Sequence, residues 1–307
     1  MTTTPPDHRP TAPVLVTGAT GTVGRHVVDL LRRRGVPVRA FVRDRRRAVA
    51  VLGTDVDLAV GDLGDRASLD AAVSGTRQVF LACVNDPRQV AWETAAIDAA
   101  VDAGVRRVVK LSARGARTAS PVAFGDAHGR VEEHLRGRGI AHVVLRPGFY
   151  LTNLLGAADA VRQGILPLPA GAARIAVIDP RDVAEVAVAV LAGADHDGRT
   201  YELTGPAAVT GDDVARELTA LLGRRVDYVP VTDEVATAGL LAAGVPAWSA
   251  RGTVAVFGEL RRGAQSEASD VVRVVTGREP RSLADFLADH VAAFRTGDDA
   301  LATTAGR

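Results

Sequence analysis

Three glycines in one short segment have the spacing of a dinucleotide-binding turn. Gly18, Gly21 and Gly24 follow an apolar run that begins at Val14, and an amphipathic helical pattern comes after them. In such a turn the first glycine allows the tight bend, the second lets the backbone approach a pyrophosphate, and the third lets helix and strand pack closely. Amides at the helix start then face the anion. The segment predicts a cofactor site made of Gly18, Thr20, Gly21, Thr22, Val23 and Gly24; the alternative is a tight turn without a ligand.

Arg43 and Asp44 follow the second predicted strand, where this kind of site distinguishes the two nicotinamide cofactors. An acid at that point holds the ribose 2′-hydroxyl, whereas an arginine accepts the 2′-phosphate. Because Arg43 comes first and a guanidinium suits a phosphate dianion, we predict NADP(H) in preference to NAD(H). The neighbouring residues 45–47, all arginine, either add to this contact or form a solvated helix start.

Two further strand ends supply candidate cofactor contacts. Asp62 and Leu63 follow the third strand, where a carboxylate can meet the adenine amino group and a leucine can cover the ring. Asp62 could instead cap the helix that begins near Arg66. Ala82 and Cys83 end the fourth strand, and their small size leaves room for the nicotinamide ribose. No His or Lys adjoins Cys83 in the sequence, so nothing there predicts a reactive thiol.

The elements that would hold these residues alternate between apolar runs and helical patterns from residue 13 onward, which is typical of a parallel sheet. We predict strands at residues 14–17, 36–42, 57–60, 78–82, 107–111 and 142–145. Later elements are a helix at 153–163, a strand at 174–178, a helix at 181–191, a helix at 211–222 and a strand at 226–229. The sheet is predicted to end at the helix over 181–191.

This pattern predicts an α/β protein with a doubly wound parallel sheet of the Rossmann type and a smaller carboxyl-terminal lobe. The dinucleotide-binding core is predicted at residues 13–150, and the substrate or cap lobe at residues 151–296. The polar, unpatterned ends at residues 1–12 and 297–307 are predicted to be disordered.

Composition narrows the class of protein. The chain of 307 residues has 37 basic and 36 acidic side chains, so its net charge of +1 attracts neither nucleic acid nor an anionic membrane. The single cysteine excludes an internal disulfide, and no set of His, Asp and Glu has metal-ligand spacing. No signal-peptide core and no run of 18 apolar residues is present. We expect a cytoplasmic protein, a monomer or homodimer, without a metal, nucleic-acid or membrane partner.

Four segments together resemble one family of atypical short-chain dehydrogenases. They are GATGTVG (18–24), VVKLSARGA (108–116), HGRVEEHL (128–135) and LRPGFYLTNLL (145–155). The chain resembles the NmrA-like proteins over about residues 13–294. That family includes quinone reductases, isoflavone-reductase relatives, tailoring ketoreductases and non-catalytic redox sensors, and these motifs do not distinguish its members.

The resemblance implies a catalytic apparatus from which this sequence departs. Typical short-chain dehydrogenases use a serine after the fifth strand and a Tyr-xxx-Lys on the next helix. Ser112 matches the serine, but His128 replaces the tyrosine and Glu132 replaces the lysine. His128 is the candidate acid because imidazole titrates near neutrality, the alternative being a surface histidine. Ser112 either hydrogen-bonds a substrate oxygen or caps the turn after its strand, and Glu132 is expected to be a helix-surface or structural carboxylate.

Further residues complete the predicted site. Lys110 lies two residues before Ser112 and is expected to point to the same strand face, so we include it among the cofactor-binding residues. By resemblance, the nicotinamide carboxamide lies beside Pro147, Gly148 and Phe149. By the same resemblance, the substrate cleft is lined by Phe149 and Tyr150. The apolar stretch at residues 232–248 covers this cleft or packs against the sheet.

A site without the tyrosine favours acceptors that need little acid assistance. Reduction of a simple ketone leaves an alkoxide, whose conjugate acid has a pKa near ~15.7. A quinone leaves a phenolate with a conjugate acid near ~10, a difference of about 8 kcal/mol. We therefore predict an NADPH-dependent reductase of a quinone or a conjugated, polycyclic aromatic ketone, such as a tailoring ketoreductase of secondary metabolism. The alternative is a non-catalytic NADP(H)-sensing regulator of the NmrA type; a sugar-nucleotide epimerase would need the missing Tyr-xxx-Lys.

Overall fold

A computed structural model describes residues 12–295, and strands and helices alternate through the first half of the chain. The strands are β1 (Val14–Val16), β2 (Val38–Val42), β3 (Asp57–Val60), β4 (Gln78–Leu81), β5 (Arg107–Leu111) and β6 (Ala141–Pro147). The helices are α1 (Gly24–Arg33), α2 (Arg45–Leu52), α3 (Arg66–Val73), α4 (Gln89–Asp102) and α5 (Ala123–Gly137).

The second half of the chain has shorter and less regular elements. Its strands are β7 (Phe149–Tyr150), β8 (Ile165–Leu168), β9 (Ile175–Ile178), β10 (Thr200–Leu203), β11 (Ala208–Val209) and β12 (Asp227–Pro230). A 3₁₀ helix over Leu151–Ala157 leads into α6 (Ala158–Arg162). The remaining helices are α7 (Pro180–Ala192), α8 (Gly211–Leu222), α9 (Asp233–Ala242), α10 (Ala247–Arg261), α11 (Val271–Thr276), α12 (Leu283–Asp289) and α13 (Val291–Phe294).

The central sheet has seven strands in the order β10-β6-β5-β4-β1-β2-β3, and every neighbouring pair is parallel. The chain builds outward from β1 to β3 and then returns to place β4 on the other side of β1. The order of strands therefore reverses between β1 and β4, where sheets of this kind form a ligand crevice beyond the carboxyl ends of their strands. This topology confirms the predicted doubly wound Rossmann-type sheet.

Helices cover both faces of the central sheet. On one face, Val27 and Leu31 of α1 share a core with Val186 and Val190 of α7. On the other face, α3, α4 and α5 share a second core with alternate residues of β4 and β5. Side chains alternate along a strand, so Val108, Lys110 and Ser112 all belong to the face that α4 and α5 cover. Lys110 and Ser112 therefore lie on one face of the sheet, as the sequence predicts.

The smaller lobe consists of two small sheets and the later helices. One sheet has the order β11-β9-β7 and the other pairs β12 with β8. Their shared core is made by Leu154, Leu218, Phe257 and Phe286, among others, and each fully buried side chain of this size contributes about 1.5–3 kcal/mol to stability. β7 follows β6 after one residue and pairs with β9, so the lobe is attached next to the carboxyl edge of the central sheet.

Some predictions of the later elements are wrong. The central sheet does not end at the helix over 181–191, because β10 adds a seventh strand beside β6. Its sequence, Thr-Tyr-Glu-Leu, has no apolar run, since it lies at the sheet edge. The single helix predicted at 153–163 is a 3₁₀ helix followed by α6. The predicted disordered ends fall outside the described residues, apart from residue 12, and the domain boundary at residue 150 stays a prediction.

Candidate functional site

The glycine turn lies between the carboxyl ends of β1 and β4. Thr17 joins these ends, because its Oγ1 donates to the carbonyl oxygen of Ala82 and accepts from the amide of Ala82, both at 2.8 Å. Gly18 has a φ of +58°, and a Cβ there would lie 2.9 Å from the Ala82 oxygen. A Cβ on Gly24 would lie 2.2 Å from the carbonyl oxygen of Gly18. Any larger residue at Gly18 or Gly24 would therefore displace α1 from the strand ends.

The start of α1 fits an anionic group. Within the described part of the chain no side chain caps this helix, and its N-cap residue, Val23, has no polar side-chain atom. Among the residues described, no side-chain acceptor therefore occupies the place at the start of α1 where a pyrophosphate would bind, although α4, α5 and α10 also begin without a side-chain cap. Thr20, Gly21 and Thr22 lie in the same turn. The residues present fit the predicted dinucleotide.

Arg43 and Asp44 differ in how far they are free to bind a ligand. Asp44 is the N-cap of α2, and its Oδ1 accepts the amides of Arg46 at 2.8 Å and Arg47 at 3.1 Å. Arg43 is exposed immediately after β2. The acid that would hold a ribose hydroxyl is therefore engaged with its own helix, while the guanidinium next to it is accessible.

The helix α3, which follows β3, is capped by a different residue from the one considered in the sequence. Asp65, not Asp62, caps α3, by accepting the amides of Ala67 at 3.1 Å and Ser68 at 3.3 Å. Asp62 is exposed, and its Oδ1 accepts the amide of the glycine two residues later at 2.8 Å. The capping alternative for Asp62 is thus wrong, because the helix starts three residues too late for it. Asp62 and the half-buried Leu63 remain candidates for the adenine end.

Ala82 and Cys83 lie beside the glycine turn at the end of β4. Ala82 is buried and Cys83 is half-buried. Burial raises the pKa of the Cys83 thiol to about 12, and the Glu93 carboxylate adds to the rise. The thiol therefore stays protonated at neutral pH, which agrees with a packing role in the site.

Ser112 and Glu132 are joined below the end of β5. The Ser112 hydroxyl donates to Glu132 Oε1 at 2.6 Å, and Arg146 donates to both oxygens of the same carboxylate at 2.9 and 2.7 Å. Burial works against ionisation of Glu132, but the hydrogen bonds from Arg146 and Ser112 lower the pKa of this carboxyl overall. Glu132 is not on the helix surface, because its side chain is 1% exposed. A structural role for this carboxylate stays a prediction.

His128 is buried between α4, α5 and β5, so the alternative of a surface histidine is wrong. Its Nδ1 lies 3.2 Å from Lys110 Nζ and 3.2 Å from Gln89 Nε2. Lys110 Nζ also lies 2.9 Å from Glu93 Oε1, and the side chains of this ion pair are fully buried. Burial and the neighbouring ammonium of Lys110 lower the pKa of His128 well below its ordinary value. The imidazole is therefore neutral at physiological pH.

Gln89 and Glu93 were not found from the sequence, although a signal for them exists. Both lie on α4 four residues apart, and Gln89 Nε2 donates to Glu93 Oε2 at 3.0 Å. Glu93 falls on the same helix face as Ala96, Ile97 and Ala100, which are all buried. A carboxylate on the apolar face of a helix is rarely buried without a partner. The single lysine of the chain is a candidate for that partner.

The residues from Pro147 to Tyr150, at the end of β6 and in β7, are closely packed. Pro147 and Gly148 are buried, and a Cβ on Gly148 would lie 2.5 Å from the carbonyl oxygen of Ala176. Phe149 and Tyr150 are half-buried, and the Phe149 ring meets Phe257 at 5.4 Å between centroids. This close packing fixes the backbone that the family resemblance places next to a nicotinamide.

The apolar stretch at residues 232–248 forms α9 and the start of α10. No residue of α9 is buried, whereas α10 packs against the beginning of α5. There the rings of Phe124 and Trp248 meet edge to face at 5.4 Å. A Cβ on Gly252 would lie 2.4 Å from the Phe124 ring, so only a glycine lets α10 approach this closely. Phe124 is one helical turn from His128, so this aromatic pair lies on the same side of α5 as the buried network.

Two kinds of site are not found in the described residues. Between residues 12 and 295 no group of three or more His, Cys, Asp or Glu side chains could hold a metal ion. No helix in that part of the chain combines the length and apolar character that crossing a bilayer needs.

Comparison with known proteins places the chain among reductases. A model of the NmrA-like family matches residues 10–287. An NAD(P)H azoreductase of Xenophilus azovorans is 37% identical over 282 residues, which cover 92% of this chain and 99% of that protein. A (4-alkanoyl-5-oxo-2,5-dihydrofuran-3-yl)methyl phosphate reductase of Streptomyces griseus is 38% identical over 283 residues, with 92% and 99% covered. The solved structure of an NADPH-dependent quinone oxidoreductase of Escherichia coli, complexed with NADPH, is similar with a TM-score of 0.83 and 29% identity, over 91% of this chain and 99% of that one.

Proposed function

Because this chain belongs to the NmrA-like family, we propose that it reduces a quinone or a conjugated, polycyclic aromatic ketone without a Tyr-xxx-Lys relay. The predicted family is confirmed. The chain is an NAD(P)H-dependent oxidoreductase, as its similarity to the azoreductase and the quinone oxidoreductase indicates. The substrate is proposed to be a small aromatic molecule. A cytoplasmic location and a monomeric or homodimeric state stay predictions.

NADP(H) is the cofactor, in agreement with the NADPH-bound quinone oxidoreductase and with an NADP(H)-bound triphenylmethane reductase of similar structure. When bound, it supplies the hydride. The glycine turn would hold the pyrophosphate, Arg43 the 2′-phosphate, and Asp62 with Leu63 the adenine. Cys83 and the segment that begins at Pro147 would enclose the nicotinamide end.

The observation that carries the proposal is the state of the three residues at the positions of the serine, the tyrosine and the lysine. The Ser112 hydroxyl donates a hydrogen bond to Glu132, so toward a ligand the Ser112 oxygen can only accept one. His128, in place of the tyrosine, is a buried neutral imidazole. Glu132, in place of the lysine, is bound by Arg146. None of these groups is a strong acid, so the site favours acceptors that stabilise the developing oxyanion themselves. Such a site works mainly by holding the acceptor close to the cofactor.

The bond between Ser112 and Glu132 also favours the second candidate, an NADP(H)-sensing regulator. In that case the hydroxyl serves only to hold β5 against α5. The two functions differ in turnover, because a sensor binds the nucleotide tightly and transfers no hydride.

The test is absorbance at the reduced-nicotinamide band with purified protein, NADPH or NADH, and a panel of quinones, azo compounds and polycyclic aromatic ketones. Consumption of NADPH that depends on the acceptor would support the reductase. His128→Phe is compared with His134→Gln, a matched histidine on α5 that instead pairs with Asp98 at 2.7 Å. Tight NADPH binding by calorimetry with no turnover across the panel would reject the reductase in favour of the sensor.

A further inference from the structure

The strongest feature not used by the proposed function is the buried polar network that joins the predicted site residues His128 and Lys110 to Glu93 and Gln89. Lys110, Glu93, Gln89 and His128 are between 0% and 6% exposed and come from β5, α4 and α5. Burying an ion pair has a large desolvation cost, and replacing such a pair with apolar residues is often neutral or stabilising. Packing alone therefore does not account for this network at the carboxyl edge of the sheet.

Hydrogen-bond donors and acceptors in the network determine the tautomer of His128. A carboxylate can only accept, so the amide nitrogen of Gln89 must face Glu93; the same nitrogen lies 3.2 Å from His128 Nδ1 and 3.5 Å from His128 Nε2. The ammonium of Lys110, which has only donors, also faces Nδ1. Nδ1 must then be the acceptor, and the ring proton is carried by Nε2.

A second and independent observation, that the buried cation is a lysine and not an arginine, indicates that this group takes part in proton transfer. The chain has 37 basic residues, and 36 of them are arginine. The single lysine is fully buried, and its Nζ lies 3.2 Å from His128 Nδ1. Arginine does not release a proton in proteins, whereas a buried lysine can. A requirement for proton release accounts for a lysine at this one position.

We propose that Lys110 and His128 form a two-step proton relay, with Glu93 and Gln89 as the residues that position it. The proposal rests on the reductase function above. As hydride reaches the acceptor, its carbonyl oxygen takes the proton from His128 Nε2, and an O–H bond replaces that N–H bond. His128 Nδ1 takes a proton from Lys110 Nζ in the same step, so the ring stays neutral and Lys110 becomes an amine.

The relay resets with one proton from water. Nε2 takes that proton when the product has left, and Nδ1 returns its own proton to Lys110. Glu93 holds Lys110 Nζ by its charge at 2.9 Å, and Gln89 hydrogen-bonds to the carboxylate and lies beside the imidazole. A neutral histidine can act as an electrophile in this way because no imidazolium has to form in a buried site.

The first test is the tautomer of His128, which does not depend on turnover. Protein with ¹⁵N-labelled histidine is studied by NMR, and the His128 signals are assigned by their loss in His128→Gln. We expect Nδ1 without a proton and Nε2 with one at pH 6, where an ordinary histidine with a pKa near ~6.5 is mostly charged. A protonated Nδ1 would overturn the relay.

The second test separates proton transfer from charge and from folding. Lys110→Arg keeps a cation for Glu93 but cannot release a proton, and Lys110→Met/Glu93→Gln removes both charges if the arginine variant does not fold. NADPH affinity is measured for each folded variant by calorimetry, so that a change in cofactor binding is separated from a change in kcat. We expect the kcat for an aromatic ketone to fall by about 10²- to 10⁴-fold, the range of general acid catalysis, with a smaller loss for a quinone. The solvent isotope effect on kcat should disappear as well.

The outcomes distinguish the relay from the reductase function. Wild-type turnover together with unchanged ketone kcat in both folded variants would overturn the relay and leave the reductase intact. If the wild-type protein reduces no acceptor in the panel, the proposed function fails and the relay fails with it. His134→Gln serves as the control, since it lies on the same helix outside the network.

Discussion

Replacement of Arg43 with alanine is expected to weaken the binding of NADPH and to leave the binding of NADH unchanged. Arg43 is exposed at the end of β2, and the neighbouring Asp44 is engaged as a helix cap. A hydrogen bond to a charged group contributes about 1.5–3 kcal/mol. Because the side chain is exposed and salt screens it, we take the lower half of that range, about 1.5–2 kcal/mol. The dissociation constant for NADPH should then rise about 10- to 30-fold.

The assay is titration calorimetry of both nucleotides with wild type, Arg43→Ala and a matched control. Arg33→Ala is suitable because Arg33 is also an exposed arginine, in the last turn of α1 and outside the predicted cofactor contacts. Raising the salt concentration should reduce the difference between wild type and Arg43→Ala. Equal losses for NADH and NADPH, or a loss as large in the control, would refute the assignment of the 2′-phosphate to Arg43.

Three further substitutions test the turn, the buried carboxylate and the helix contact. Gly24→Ala places a Cβ 2.2 Å from the Gly18 oxygen, so calorimetry should find NADPH binding weakened at least about 10-fold, equivalent to about 1.4 kcal/mol, while circular dichroism shows the fold retained. Glu132→Gln should lose about 3 kcal/mol of unfolding free energy in urea at pH 7, because it breaks a buried ion pair; since the pKa of Glu132 is lowered in the folded state, wild type should lose this advantage as the pH falls below about 4.3, the ordinary value for a glutamate. Gly252→Ala should destabilise the protein by about 1–3 kcal/mol through overpacking against Phe124, and Phe124→Leu in the same chain should restore part of that loss.

The sequence predicts the central sheet well where apolar runs are bounded by turn residues. The strands at 57–60 and 107–111 and the helix at 211–222 have the predicted bounds. The predicted strand at 36–42 begins two residues later, since Pro37 has no amide to donate. β10 was missed because an edge strand needs only one covered side and carries polar residues, so its pattern resembles a loop.

The candidate site could be predicted only as far as it depends on local sequence. The glycine turn and the end of β2 are continuous segments, and their chemistry follows from residue type and order. The partners of His128 come from α4 and β5, which are brought together by the fold. Burial of Glu93 could be suspected from helix periodicity, but its pairing with Lys110 needs the packing of α4 on the sheet.

The single lysine also decides how the protein can be labelled. Amine-reactive reagents have one side-chain target in the chain, and that target is fully buried in the native state. Such reagents should modify residue 110 only in molecules whose α4 and α5 have moved apart, at a rate set by that local opening. The extent of modification, read by mass spectrometry, would therefore report how often this part of the molecule opens. Coupling to a support through lysine would select the same opened molecules.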